Sequence, residues 1–218
     1  MQDITISIHF GSRISQSHNA RKIKGEEHID YNKSRNNYVW SESSNDQAYV
    51  DLFSDAIREY NGKQSRRDRK IDFETNGLPD GAKIKNYMKR QKGKPRELII
   101  QFGNSTDGID KNLKVRMLKK FSYEFQMQNP NLKVVAIYLH TDEADPHLHI
   151  DFIPWFTNAS KGCSKLVGFD KALAQQLGMD YKRERKDDEG NKIKRQTYSP
   201  YFDAWAEHES RAFSNCET

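Results

Sequence analysis

The stretch His140-Thr141-Asp142-Glu143-Ala144-Asp145-Pro146-His147-Leu148-His149 gathers three of the chain's seven histidines and three carboxylates within ten residues. Upstream, Leu132 to Leu139 is rich in Val, Ile and Tyr, and downstream His147 to Trp155 repeats that composition, so the stretch reads as the turn and flanks of a β-hairpin. Successive side chains on a strand point to opposite faces, which puts His147 and His149 on one face. The six-residue connection Thr141 to Pro146 allows His140 to come opposite them. Three imidazoles then converge on one point, which is a tridentate metal site with coordination positions left for water or substrate. By ligand softness alone such a set suits zinc, copper or nickel. The remaining histidines His9, His28 and His208 stand apart and carry no comparable signal.

Working outward, Asp3 to His9 alternates with Ile4, Ile6 and Ile8 on one face, which predicts a half-buried strand, and Glu97 to Phe102 predicts a second. Asp46 to Tyr60 places Tyr49, Phe53, Ile57 and Tyr60 at helical spacing, and Lys111 to Gln128 does so with Val115, Leu118, Phe121 and Phe125 before Asn129-Pro130 ends it. Shorter helices are predicted over Ala82 to Gln91 and Asp170 to Leu177, with a last one after Ser199-Pro200 carrying Phe202, Trp205 and Phe213. Asn76-Gly77 and Pro79-Asp80-Gly81 are turn signals. Gly11 to Ser44 reads as a polar, basic stretch, Asn61 to Lys70 as a basic one, and Tyr181 to Gln196 as a charged, mobile segment.

The 218 residues suit a single domain, residues 1–218. No apolar run approaches the ~20 residues needed to span a bilayer, and the start lacks the layout of a secretory signal. A bacterial cytoplasm and no membrane contact are therefore expected. The net charge of +5 comes with clustered Lys and Arg, favouring a polyanionic partner. Cys163 and Cys216 are isolated and point to neither a disulfide framework nor a zinc ribbon.

A second informative element lies near the N-terminus: Ser17-His18-Asn19-Ala20-Arg21, followed by Asp30-Tyr31-Asn32-Lys33-Ser34-Arg35-Asn36-Asn37-Tyr38. A His-Asn-x-Arg element, an Asn-Tyr element and then His-x-Asp-Glu-x-x-Pro-His-x-His, in that order, resemble the MobV relaxases, also called the Pre/Mob or plasmid recombination enzyme family. The resemblance runs from Ser17 to Trp155. It implies the α+β fold of the HUH endonucleases, a central antiparallel β-sheet with helices packed on it. It also implies His140, His147 and His149 as metal ligands, His18 as a histidine nucleophile in place of the tyrosine most relaxases use, and Glu143 as the acidic residue beside the site. The implied ion is manganese first, with magnesium or another divalent ion next. The implied partner is DNA, single-stranded or supercoiled, at an origin of transfer. Family members are longer, so a C-terminal region of the full protein is expected beyond this chain.

Those expectations make a mechanism. Arg21 is a candidate phosphate clamp, because its fork matches phosphate oxygens. Glu143 is expected to orient His18 by accepting its other ring proton, and the attack yields a phosphoramidate to the 5′ end of the cut strand. Lys22, Lys24, Lys33, Arg35 and Lys182 to Lys186 are candidate DNA contacts, with Tyr38 and Trp40 stacking bases. No phosphate-binding G-x-x-x-x-G-K-S/T loop is present, so no motor activity is encoded. Two other readings stay open. One is a rolling-circle replication initiator of the same fold whose nucleophile is Tyr181 or Tyr201; the other is a DNA-binding module with a structural metal and no cleavage.

Overall fold

The computed structural model describes residues 6–10, 16–22, 25–91, 93–104, 106–181 and 199–214. The long, β-branched and aromatic runs form the middle of the sheet. β6 (Leu132–His140) and β7 (His147–Phe156) make the hairpin, and β5 (Arg96–Phe102) lies on the other side of β7. β1 (Ile6–Phe10) pairs with β5, and β2 (Tyr38–Glu42) pairs with β6. The order β1-β5-β7-β6-β2 is antiparallel throughout, as expected from the resemblance, and the short β8 (Leu166–Val167) pairs with β7. His140 stands directly opposite His147 in the β6/β7 register, and His149 sits between Tyr138 and Ile99.

The two faces of β7 differ. Leu148, Ile150 and Phe152 join Leu98, Ile100 and Phe102 of β5 in a core covered by α4 (Lys111–Gln128), α5 (Phe169–Gln176) and α6 (Pro200–Ser214). The alternate residues face the other way. There Val135 and Ile153 pack under α2 (Asn45–Gly62) and α3 (Gly81–Arg90), beneath Tyr49, Phe53, Ile57, Ile84 and Met88. His147, His149 and Asp151 occupy that second face at the hairpin end of the sheet. Each long helix starts at a side chain that caps its free N–H groups: Ser44 accepts from Gln47, Asp80 from Ala82 and Lys83, and Asp110 from Leu113. α2 and α3 start against each other, where a Cβ on Gly81 would lie 2.1 Å from the carbonyl oxygen of Asp46. No larger residue fits there.

The predicted helices over 46–60, 82–91, 111–128 and 170–177 form within a few residues of their expected bounds. The stretch from Gly11 to Ser44, read from the sequence only as polar and basic, is partly ordered into elements. Among the described residues it holds α1 (Gln16–Asn19), a 3-10 turn at Ser34–Asn36 and the edge strand β2. The Asn76-Gly77 turn likewise closes a tiny hairpin of β3 (Glu74–Thr75) and β4 (Leu78–Pro79), both turn residues having positive φ as a two-residue hairpin requires. Phe202 and Trp205 are buried as expected; the side chain of Phe213, and the charged segment beyond Tyr181 through residue 198, lie outside what is described. Among the described residues no helix is long and apolar enough to cross a membrane.

Candidate metal and nucleophile site

The hairpin brings one ring nitrogen each of His140, His147 and His149 to within 4.8 Å of one another. What the other ring nitrogens do decides whether these atoms are ligands. His140 Nε2 faces the carbonyl of Asn19 at 2.8 Å, His147 Nδ1 faces the carbonyl of Asp145 at 2.9 Å, and His149 Nδ1 faces Glu97 Oε1 at 2.9 Å. Each of these outer nitrogens must carry the proton, because its partner only accepts. That leaves His140 Nδ1, His147 Nε2 and His149 Nε2 as lone pairs for the centre. His140 Nδ1 is buried without a hydrogen-bond partner, an omission that costs about 1–3 kcal/mol unless something fills it. A divalent cation does, and the donor set fits one.

Burial, and then the neighbouring His149, push the His140 imidazole down to about 2, and the same causes lower His147. Both rings are therefore neutral, the form that binds metal. A second possible group, His140 with Asp142 and Glu143, is weaker. Asp142 already accepts from Arg21 Nε at 2.9 Å, Arg21 Nη2 at 2.7 Å, Ser34 Oγ at 2.6 Å and Asn37 Nδ2 at 2.8 Å. Burial raises its affinity for a proton, but these donors outweigh burial and hold the carboxyl well below the usual carboxylate range. Glu143 Oε1, which accepts from Arg21 Nη2, lies 3.8 Å from both His140 Nδ1 and His147 Nε2.

The N-terminal residues are drawn to this centre from far along the chain. α1 carries His18, whose ring centre lies 6.3 Å from those of both His140 and His149. Asn19, buried beside it, orients two of the imidazoles at once: its carbonyl accepts from His140, and its Nδ2 donates to Glu97 Oε1 at 2.7 Å, the oxygen that holds His149. Arg21 then turns the chain with φ at +54°, a conformation that disfavours side-chain-bearing residues by about 1–2 kcal/mol and persists because its guanidinium is fixed.

Two expected roles change here. Arg21 does not stand as an open phosphate clamp: Nε and Nη2 are spent on Asp142 and, at 2.6 Å, Glu143, and only Nη1 faces the site, 3.4 Å from His18 Nε2. Nor does Glu143 hold the other nitrogen of His18. Arg21 occupies Glu143, and His18 Nδ1 instead meets Glu26 Oε1 at 2.7 Å.

The candidate DNA contacts divide. Lys22, Lys33 and Arg35 are exposed, Lys33 pairing with Asp30 at 2.8 Å; Lys24 and Lys182 to Lys186 lie outside the described residues. Tyr38 and Trp40 are brought onto the α4 face, away from the histidines, with Lys119 Nζ 3.5 Å over the Tyr38 ring and Tyr123 beside Trp40. Tyr201 is buried in the α4-side core with its hydroxyl donating to the carbonyl of Asp180, and Tyr181 stacks on it.

Glu26 and Glu97 escaped the sequence reading, and Asn37 and Asp142 stood in its motifs without an assigned role. The alternation of β5 puts Glu97 on the histidine face, so a charged residue inside an otherwise apolar strand was the available signal. Glu26, eight residues from His18 in an irregular turn, had none.

The model of the plasmid recombination enzyme family, Mob_Pre, matches residues 15–199. No curated protein matches the chain. Among solved structures, the chain is similar to the MobM relaxase domain (MOBV; Mob_Pre) bound to 22-nucleotide oriT DNA of plasmid pMV158, Mn-bound at pH 5.5. That match has 16% identity, spans 72% of this chain and 73% of the other, and has a TM-score of 0.40. A second MobM structure, with 22-nucleotide oriT DNA and a 3′ thiophosphate, Mn-bound at pH 6.8, has 14% identity, spans 92% and 98%, and has a TM-score of 0.40. With the family model matching residues 15–199, the hairpin and the His18 segment included, the chain belongs to the plasmid recombination enzyme family.

Proposed function

We propose that this chain is a plasmid mobilisation relaxase that nicks and rejoins one DNA strand at an origin of transfer, with His18 as the nucleophile and a covalent 5′-phosphohistidine intermediate. The observation that carries it is the convergence of His18, from α1, on a three-histidine cluster whose inward nitrogens are left as unprotonated donors.

His140, His147 and His149 would hold a divalent ion, manganese being the one the family resemblance implies and magnesium the next. When bound, that ion supplies positive charge for the nonbridging oxygens of the scissile phosphate. The rest of the work falls to the chain. His18 presents Nε2 as the unprotonated nitrogen, because its Nδ1 is the one facing a carboxylate, and Nε2 accepts from Arg21 Nη1. Arg21 Nη1, beside Nε2, is placed to touch the phosphate that His18 attacks. Asn19 and Glu97 keep the imidazoles turned so that their lone pairs face inward. The N–P bond forms as the P–O3′ bond breaks, and the freed 3′ hydroxyl can reverse the step without an external energy source.

A tyrosine nucleophile is disfavoured by position, since Tyr201 is packed on the face of the sheet opposite the histidines. A structural metal is disfavoured by ligand number: three imidazoles leave the centre open where structural sites close with four ligands. The test is to incubate the protein and its His18→Ala variant with manganese and single-stranded oligonucleotides from the origin of its own plasmid. Cleavage by the first and not the second supports the reading, whereas equal cleavage by both rejects it.

A further inference from the structure

Glu26 is the one carboxylate in direct contact with the nucleophile among the described residues, and neither the family motif nor the sequence pattern singled it out. Its geometry is specific. Oε1 lies 2.7 Å from His18 Nδ1, while Oε2 turns outward to His28 Nε2 at 3.4 Å, and His28 is largely exposed. The backbone N–H of Glu26 donates to the Tyr31 hydroxyl at 3.2 Å, which pins the turn that presents the carboxylate. Among the described residues, the charged and titratable groups facing this pair include Arg21, at the Nε2 side of His18, the His140 and His149 rings, each 6.3 Å from that of His18 between centres, and Glu143, 4.0 Å beyond His28.

We propose that Glu26 is the positioning residue of the nucleophile: it fixes His18 in the Nδ1–H tautomer and takes that proton as the bond to phosphorus forms. The inference rests on His18 being the nucleophile and adds what makes it one. An imidazole with the wrong tautomer offers an N–H to phosphorus and cannot attack. With Nδ1–H on Glu26, Nε2 is the lone pair, and Arg21 Nη1 points at it. As Nε2 bonds to phosphorus the ring gains positive charge, which Glu26 first stabilises and then removes by accepting the Nδ1 proton. The O3′ leaving group departs with the electron pair of its bond and takes one proton from water. The proton on Glu26 returns to water, with His28 at the outer oxygen, so protons balance: one leaves His18, one joins O3′. Rejoining runs the same steps backwards.

Two variants separate holding from proton transfer. Glu26→Gln can still accept the Nδ1–H bond through its amide oxygen but cannot take the proton; Glu26→Ala can do neither. Long-range proton–nitrogen NMR on histidine-labelled protein reads the His18 tautomer without any need for nicking. The expected result is Nδ1–H in the wild type and Glu26→Gln, and a shift toward Nε2–H in Glu26→Ala. In single-turnover adduct formation with manganese, Glu26→Gln is expected to be slower by about 100-fold, at the low end of general acid–base contributions, with the DNA-binding constant unchanged. An unchanged tautomer in Glu26→Ala, or a wild-type rate in Glu26→Gln, overturns the proposal. If the wild type forms its adduct on a residue other than His18, the relaxase reading has failed at the nucleophile, and the tautomer result stands apart from it.

Discussion

The two halves of the site are ordered by different means. The metal half is made by the sheet: His140 and His147 are cross-strand partners in a hairpin of nine- and ten-residue strands, and β5 braces His149 from the other side. The half that carries the proposed nucleophile, residues 16–37, contains among its described residues one helix of four residues and a single 3-10 turn, too little to hold itself. Its order comes from Asp142, whose carboxylate collects Arg21, Ser34 and Asn37, and whose carbonyl accepts from the N–H of Asp30. One buried side chain in the hairpin loop thus makes the largest set of bonds between a self-standing half and a dependent one, beside those of Asn19 to His140 and Glu97. Lys111 and Lys114 of α4 secure that loop from outside, Lys111 donating to the carbonyls of Thr141 and Glu143, and buried Lys114 pairing with Asp107 and Asp145.

The comparison is broken most completely at the ligands. His140→Ala, His147→Ala or His149→Ala should abolish nicking and weaken manganese binding by more than the ~10–100-fold typical of outer-shell losses, measured by calorimetry. The fold should persist, because β6 and β7 keep their ladder.

Next in size, Asp142→Ala should remove the main link between the halves. Leaving Arg21 with Glu143 as its remaining carboxylate and its Nε unpaired costs about 1–3 kcal/mol, seen in chemical denaturation. Hydrogen exchange should rise over residues 16–37 while β6 and β7 stay protected. Equal loss of protection in both would show that the halves are not separable.

A smaller effect tests the brace behind the metal half. Glu97→Gln should keep the Asn19 contact but weaken the charged partner of His149, lowering manganese affinity by about 10-fold and leaving hydrogen exchange over residues 16–37 unchanged.

The smallest effect lies in the α4-side core, as a control for acid-dependent changes at the site. Burial raises the Glu209 carboxyl above its ordinary range, so the folded state prefers the protonated form. That contribution is fully present below the unfolded carboxyl's pKa and is lost as the pH rises through the higher folded value. Glu209→Gln should therefore leave Tm unchanged near pH 4 and raise it by about 2–4 °C at pH 8, corresponding to about 1 kcal/mol. A gain that is the same at both pH values would show that ionisation is not its cause.

The sequence was most readable where structure repeats with a short period. The alternation in β6 and β7, and the helical spacing in α2 and α4, located the sheet's centre and the main helices, and the His-x-His pair followed from the alternation itself. β2 was missed because its five residues sit inside a polar stretch and form an edge, ordered by pairing with β6 instead of by their own pattern. The partners of the nucleophile were missed for a related reason. Arg21 and Asp142 are 121 residues apart, and no local spacing tells whether a guanidinium will meet a phosphate or a buried carboxylate. Family resemblance placed His18, Arg21 and Glu143 in the site, but only the packing of Arg21 between two carboxylates shows that Glu143 is occupied and that Glu26 takes the contact with His18.

The central claim is that a histidine delivered by the dependent half attacks phosphorus over the metal half. The most direct measurement is to trap the covalent adduct with manganese and an origin oligonucleotide, and to locate the modified residue by mass spectrometry after splitting the sample between acid and neutral conditions. The account predicts an adduct on His18 that is lost in acid, as a phosphorus–nitrogen bond is. An acid-stable adduct on Tyr38, Tyr181 or Tyr201 would contradict it.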